Sequence, residues 1–113
     1  MQELEKITYI YSVEAIGFAK SLEKLHPGDE RIREFKNKSG KMYTLVADTH
    51  KAETNREFAD KLRKVRSISM ELTEKLPTFN VESKELSKQK EQLSEKLKEI
   101  KEKLDELLSK IIY

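Results

Sequence analysis

The sequence predicts an all-α protein, an up-down-up-down antiparallel four-helix bundle forming one domain over residues 1–113. Apolar side chains recur every three to four residues along most of the chain, which is the spacing of one face of a helix. Pro27, Gly28 and Pro77 fall at the ends of these periodic segments. Charged residues make up 39% of the chain and apolar residues 36%, a balance typical of helical bundles. Short connections between the segments favour antiparallel neighbours.

The first two helices are predicted at about residues 2–25 and 29–48. The first ends at His26-Pro27-Gly28, where proline and glycine interrupt the periodic pattern. The second has an apolar stripe that also contains two hydroxyl residues: Ile32, Phe35, Ser39, Met42, Leu45, Val46 and Thr49.

The third helix is predicted at about 54–76 and the fourth at about 82–112. Thr54 and Glu57 form a capping box, in which each side chain accepts from an orphan N–H at the helix start. Asn80 or Ser83 is the expected cap of the fourth helix. Both stripes alternate steps of four and three, as in a bundle seam. They are Phe58, Leu62, Val65, Ser69, Leu72 and Leu76 in the third helix, and Leu86, Lys90, Leu93, Leu97, Ile100, Leu104, Leu107 and Ile111 in the fourth.

The fourth helix is expected to be longer than its neighbours. About 30 residues give roughly 45 Å, against roughly 34 Å for the third helix. Its last turns are therefore predicted to extend past the bundle, where Ile111, Ile112 and Tyr113 would need a partner.

The first helix predicts self-assembly, because apolar residues point in most directions. Residues 7–19 carry one charge, Glu14, and a helix that is apolar nearly all round is normally buried on more than one side. One side, with Ile7, Tyr11, Phe18, Leu22 and Leu25, is expected to face the bundle. The other, with Ile10, Val13 and Gly17, is the predicted homo-oligomer interface. The alternative is that Tyr9 and Tyr11 rest at the surface with their hydroxyls in water.

Net charge is +2, and the positive excess lies on the middle two helices. Lysine and arginine neutralise phosphates, so these residues are the predicted contacts to an RNA or DNA backbone. They are Arg31, Arg33, Lys36, Lys38 and Lys41 on the second helix, and Lys61, Arg63, Lys64 and Arg66 on the third. If the two helices are antiparallel neighbours, the rows merge into one patch. The alternative is a solvated surface balanced by Glu34, Glu57 and Asp60.

Catalysis, metals and cofactors are not expected. Cysteine is absent, and neither a G-x-S-x-G nucleophile motif nor a glycine-rich phosphate loop occurs. His50, Glu53 and Glu57 would share a face only if one helix ran through them, and the predicted helix start at Thr54 breaks that face. Bundle di-metal sites need Glu-x-x-His motifs on two helices, and the two histidines here lie in no such motif. We therefore predict a protein that is not an enzyme.

A cytoplasmic location away from the membrane is predicted. No apolar run approaches the roughly 18 residues that a membrane-spanning helix needs. The first residues carry acids and lack a small-residue cleavage site, so no signal peptide is expected.

The middle of the chain has an ordered pattern: Val46-Ala47-Asp48, a polar turn, Thr54, Glu57 and Phe58, then Leu62 and Glu71-Leu72. It resembles the pattern of the ribosomal-RNA intervening-sequence proteins and of the accessory variability determinants of diversity-generating retroelements. That pattern is Asn-Ile-Ala-Glu-Gly, a polar turn, Ser-x-x-Glu-Phe, a Leu four residues on, and Gly-Ser-x-x-Glu-Leu. Leu45 replaces the Asn, Thr49 and Ser67 replace the glycines, and Ala52 stands where a basic residue is common. The absent glycines favour the accessory-determinant branch.

This resemblance implies a function as well as a fold. Proteins of that branch are homopentameric four-helix bundles that bind a reverse transcriptase and nucleic acid. The chain would then be a non-catalytic accessory subunit, and the polymerase a separate protein. The alternative is a structural or regulatory module that binds a protein partner through its helices and has no affinity for nucleic acid.

Overall fold

The computed structural model describes residues 2–111, which form four α-helices joined by short connections. They are α1 (Gln2–Leu25), α2 (Glu30–Asp48), α3 (Asn55–Lys75) and α4 (Lys84–Lys110). Single-turn 3₁₀ helices at Thr49–Lys51 and Leu76–Thr78 extend the ends of α2 and α3. No strand occurs within the described residues. The predicted all-α bundle is confirmed, and the helix bounds differ from the predicted ones by at most two residues.

Side-chain caps fix where α2 and α4 begin. Asp29 precedes α2 and accepts a hydrogen bond from the backbone N–H of Arg31, at 2.9 Å. Ser83 precedes α4 and accepts from the N–H of Leu86, at 3.1 Å. Of the two caps considered for α4, Ser83 is the one used. Each cap satisfies one of the N–H groups that a helix start leaves without an internal partner.

The capping residue Thr54 is confirmed, and its glutamate acts one residue earlier than predicted. Thr54 Oγ1 accepts from the N–H of Glu57, at 3.1 Å. The Glu57 carboxylate accepts from the N–H of Glu53, at 3.1 Å. The glutamate therefore ties down the chain entering the helix, and both hydrogen bonds hold the α3 end of the turn between α2 and α3.

Each helix packs against its neighbour in sequence, and α4 closes the ring by packing against α1. The core runs along the centre, and all four helices contribute to it: Leu4, Tyr11, Ala15, Phe18, Ala19 and Leu22; Ile32, Phe35, Met42 and Val46; Leu62, Val65 and Leu72; Leu93, Leu97, Ile100 and Leu104. The short connections and this ring of contacts give the predicted up-down-up-down order.

The α1–α2 pair packs more closely than any other pair of helices. Ser12 Oγ donates to the backbone carbonyl of Ser39 at 2.7 Å, and the hydroxyls of Tyr11 and Ser39 are hydrogen-bonded at 2.9 Å. These three side chains are buried. Gly40 lies against Ile16, and a Cβ added there would stand 3.4 Å from Ile16 Cδ1. Small and hydroxyl residues thus let the two backbones approach.

One expectation for α1 is wrong, that for Leu25, whereas the expected position of Tyr11 facing the bundle is confirmed. Leu25 was expected in the core, yet 62% of it is exposed, because it is the last residue of the helix and the chain turns away after it. Tyr11 does not rest at the surface; it is fully buried against Ser39. Tyr9 is the tyrosine that stays outside, with 55% of its surface exposed.

The end of α4 packs on its own bundle as far as the structure describes it. Leu107, Leu108 and Ile111 are half-buried against the core. The α4 helix has 27 residues and α3 has 21, or about 40 Å against about 32 Å. The predicted exposure of Ile112 and Tyr113 concerns residues outside the described range.

Candidate nucleic-acid and assembly surfaces

The condition for merging the two basic rows is met, because α2 and α3 are antiparallel neighbours. Two ion pairs fix their register. Lys61 Nζ lies 2.9 Å from Asp48 Oδ2 at one end, and Lys38 pairs with Glu71 nearer the other end. Lys41 and Lys64 follow Lys38 and Lys61 by three residues, so all four bases line the same side of the bundle. We call this side, with Lys38, Lys41, Lys61 and Lys64, the α2–α3 face.

Acidic residues are interleaved with these bases. Lys38 also lies 2.9 Å from Glu34, so it is shared between two carboxylates. Hydrogen bonds to Glu71 and then to Glu34 raise the pKa of Lys38, while Lys61 and then Lys51 hold the pKa of Asp48 below its usual range. Two of the four bases on this face are therefore already neutralised within the protein.

The other predicted bases do not join this face. Arg63 pairs with Asp60 on its own helix at 3.0 Å, and Arg66 Nε lies 3.0 Å from Asp105 on α4. Lys36 Nζ lies 2.6 Å from Glu23 on α1. The nine bases thus spread over several sides of the bundle. Of the acids proposed to balance them, Glu34 and Asp60 pair with bases, while Glu57 is used in the cap.

At the start of α2, Arg31 pairs with its cap Asp29 at 3.4 Å and lies over the ring of Phe79, 5.8 Å from its centroid. Three of the predicted bases, Arg33, Lys41 and Lys64, form no ion pair with any residue in the range 2–111. Lys41 and Lys64 belong to the α2–α3 face, so they are the bases there that remain for an external anion.

The predicted interface residues do not share one surface of α1, because Ile10 and Gly17 border α4 and Val13 points outward. Val13 is 53% exposed, Ile10 is half-buried, and a Cβ added at Gly17 would meet nothing within 4 Å. Tyr43 of α2 is a neighbour of Tyr9 that the sequence pattern does not reveal, because it falls just outside the apolar stripe of its helix. The rings of Tyr9 and Tyr43 are in edge-to-face contact, with centroids 5.3 Å apart. Pairs of this kind are favourable and make one shared apolar surface.

An open cleft of about 720 Å³ separates α1 from α4. Ile7 and Ile10 supply its apolar part, and Gln92, Glu95 and Glu99 of α4 line the opposite wall. A second cavity of about 390 Å³ continues along the same two helices, lined by Gly17, Phe18, Gln89, Gln92 and Leu93 among others. We call these two spaces together the α1–α4 cleft.

Two ion pairs cross the cleft. Lys96 Nζ lies 3.0 Å from Glu14, and Lys103 Nζ lies 3.0 Å from Glu3. The hydrogen bond from Lys103 lowers the pKa of Glu3. Ion pairs rather than apolar contacts therefore join α1 and α4 at the rim of this cleft.

An acidic stripe runs along the outer side of α4, and counting charges along the sequence did not reveal it. Glutamates recur at spacings that place them on one helix face: Glu91, Glu95, Glu99, Glu102 and Glu106. All five are exposed. The helix is nearly neutral overall, yet its charges are segregated, and Glu95 and Glu99 form the outer rim of the α1–α4 cleft.

Within residues 2–111, no three histidine, aspartate or glutamate side chains lie close enough to hold a metal ion together. His50 Nε2 instead lies 2.5 Å from Glu5 Oε1 and ties the turn after α2 to the start of α1. None of the described helices combines the length and the apolar character needed to cross a membrane.

Comparison with known proteins found no matching family model, no matching curated protein and no matching solved structure. The resemblance to the retroelement accessory proteins therefore stays a prediction, and function has to be argued from the surfaces described above.

Proposed function

We propose that this protein is a non-catalytic, self-assembling bundle that binds the backbone of RNA or DNA through its α2–α3 face. The observation that carries the proposal is the packing of the two most basic helices as neighbours, with Lys38, Lys41, Lys61 and Lys64 on one side. The resemblance supports a more specific role as an accessory subunit of a diversity-generating retroelement reverse transcriptase. It also supports a homopentamer, and the cytoplasmic location predicted from the sequence is part of the same proposal.

The ion pairs on this face determine how a nucleic acid would bind. Lys41 and Lys64 can meet phosphates directly, whereas Lys38 and Lys61 would first have to exchange a carboxylate for a phosphate. Exposed ion pairs contribute little, so that exchange is nearly neutral in free energy. Among residues 2–111 the exposed aromatic side chains are Tyr9 and Tyr43, which pair on the α1–α2 side and not beside the four lysines. The expected contacts are therefore to the backbone and carry no sequence preference.

The test is a double charge reversal, Lys41→Glu with Lys64→Glu, with a structured RNA as the probe. Binding measured between 50 and 200 mM salt should weaken at least about tenfold, and the slope of log K against log salt should fall by about two contacts. The matched control reverses two exposed lysines on α4, Lys88→Glu with Lys98→Glu, and keeps the same net charge. Equal losses for the two double variants would show a non-specific charge effect and remove the α2–α3 face from the proposal.

A second candidate function is a protein-interaction module without affinity for nucleic acid. It is favoured by the ion pairs that already neutralise most of the predicted bases, and by the exposed Tyr9, Val13 and Tyr43. Assembly that is independent of RNA, with no salt-sensitive RNA binding by the parent protein, would select this second function.

A further inference from the structure

The outer surface shared by α1 and α2 is apolar at its centre. Tyr9, Val13 and Tyr43 project from it and are 55%, 53% and 37% exposed. Gly40 and the half-buried Ile16 lie beside them. Because the glycine has no side chain, the two tyrosines and the valine stand above their surroundings. We call the surface formed by Tyr9, Val13, Ile16, Gly40 and Tyr43 the aromatic face.

Basic residues continue the aromatic face toward the α1–α2 turn. Lys20 and Lys24 lie seven and eleven residues after Val13, on the same side of α1. Lys36 of α2 pairs with Glu23 of α1. Arg33, one turn before Lys36, therefore lies beside the same end of α1 as Lys24. Lys20, Lys24 and Arg33 are exposed and form no ion pair within residues 2–111.

The acidic residues of α1 are paired with bases and do not neutralise the basic end of the aromatic face. Glu3 and Glu14 pair with lysines of α4, Glu5 pairs with His50, and Glu23 is held by Lys36. The aromatic face is therefore an apolar surface with a basic end.

The α1–α4 cleft has the complementary character. Its interior is concave and contains Ile7 and Ile10, and its outer wall is the acidic stripe of α4. Lys96 and Lys103 are occupied by Glu14 and Glu3. Glu95 and Glu99, in contrast, form no ion pair with another residue in the described range. The hydrogen bond to Glu3 raises the pKa of Lys103, and Glu99, one turn before it, adds to this effect. Lys6 is the lysine that α1 contributes to the lining.

We infer that the aromatic face of one copy of this chain docks in the α1–α4 cleft of a second copy. The projecting tyrosines fit an open cleft, and the basic end meets the acidic stripe. Self-docking of two aromatic faces would bring lysine against lysine in a parallel arrangement, which is unfavourable. In an antiparallel arrangement the basic end would meet no unpaired acid of α1, because all four are already paired. From Tyr9 to Lys24 at its basic end, this surface runs about 22 Å along α1.

This contact is heterologous, because the two surfaces that meet are different. Every copy carries one aromatic face and one α1–α4 cleft, so a dimer leaves one of each unoccupied. The inference rests on the self-assembly in the proposed function and specifies the surfaces that produce it. It also divides the predicted interface, because Val13 belongs to the aromatic face, whereas Ile10 and Gly17 line the cleft.

Mixing two variants tests the proposed contact between the aromatic face and the α1–α4 cleft. Tyr9→Glu disables the aromatic face and leaves the cleft, whereas Glu95→Lys with Glu99→Lys disables the cleft and leaves the face. These residues are exposed, so the fold should persist, and circular dichroism checks this. Each variant alone should sediment as a monomer. An equimolar mixture should give a dimer of about twice the 13.3 kDa of one chain, because one intact face meets one intact cleft.

The controls make matched changes outside the two surfaces. Met70→Glu places a charge on another exposed apolar residue, and Glu74→Lys with Glu82→Lys reverses two exposed acids. Both controls should assemble like the parent. A mixture that stays monomeric, or variants that assemble like the parent, would overturn the inference while leaving nucleic-acid binding to its own test. A monomeric parent protein at 200 µM would remove both this contact and the self-assembly in the proposed function.

Discussion

Tyr11 gives the sharpest test of how the bundle is held together, because its phenol is buried beside a single polar partner. The side chain is 0% exposed, and its hydroxyl is 2.9 Å from Ser39 Oγ. Burial disfavours the phenolate and raises the pKa of Tyr11 above its usual range, and the Ser39 hydrogen bond only partly offsets this effect. In the unfolded chain, the same phenol ionises near pH 10.

The sign of the pH dependence follows from this difference. Below pH about 10, Tyr11 is neutral in both states and contributes no dependence on pH. Above it, the unfolded chain loses a proton that the folded protein keeps, so stability falls by about 1.4 kcal/mol per pH unit. The loss continues until the pH reaches the raised pKa of the folded state.

Comparison with Tyr11→Phe isolates this effect from the titration of lysines and of the other tyrosines. At pH 8 the variant should be less stable by about 1 kcal/mol, because it lacks the hydrogen bond to Ser39. The variant does not titrate at this position, so the two unfolding free energies should become equal near pH 11 and then reverse. Urea denaturation at steps of half a pH unit measures this. A difference that stays constant from pH 8 to pH 11.5 would refute the assignment of a buried, neutral phenol.

Three further substitutions test the backbone and the core, each by urea denaturation at a concentration below that of assembly. Gly17→Ala should stabilise by about 0.5–1 kcal/mol, because the site is helical and its Cβ would meet nothing within 4 Å. Gly28→Ala should destabilise by about 1–2 kcal/mol, since its φ of +81° disfavours a side chain. If both glycine variants changed the free energy of unfolding in the same direction, this contrast would be contradicted. Leu97→Ala should cost about 2–5 kcal/mol, because the residue is fully buried in the core, and a loss below 1 kcal/mol would mean that the α4 stripe does not form the core.

The fold could be predicted because each helix carries its own periodic signal. Leu62, Val65, Ser69 and Leu72 alternate steps of three and four, and all four are buried. The periodicity also included Ser69, a residue that hydropathy alone would have left outside the core. Periodicity is a local property of about ten residues, so it survives without knowledge of the neighbouring helices.

The same rule failed where the environment is set by other parts of the chain. Leu25 satisfies the spacing of α1, but the helix ends there and no neighbour covers it. Lys90 falls in the stripe of α4, and its Nζ donates to the carbonyls of Pro77 and Phe79 at 3.3 and 2.7 Å. Its position is explained by backbone carbonyls that are left unpaired after the end of α3. The residue spacing within α4 alone carries no information about those carbonyls.

The basic patch was only partly predictable, for a related reason. A count along the chain finds no acid from Lys61 to Arg66, yet Asp48 lies beside Lys61 and Asp105 beside Arg66. Asp48 is 13 positions before Lys61, and Asp105 is 39 positions after Arg66. Which acids meet which bases depends on the rotation and register of packed helices, and those are properties of the whole bundle.

The proposed assembly surfaces have a common origin in the α1–α2 contact. Ser12, Ala15 and Ala19 are small and buried, so α1 approaches α2 closely on that flank. A helix drawn toward one neighbour is left farther from the other, and the α1–α4 seam is where the open cleft occurs. The residues that tighten one side of α1 therefore account for the space on the other. Tyr43 holds Tyr9 at the edge of the closely packed α1–α2 contact. The close packing of α1 on α2 therefore accounts both for the projecting Tyr9 and for the α1–α4 cleft that we propose to receive it.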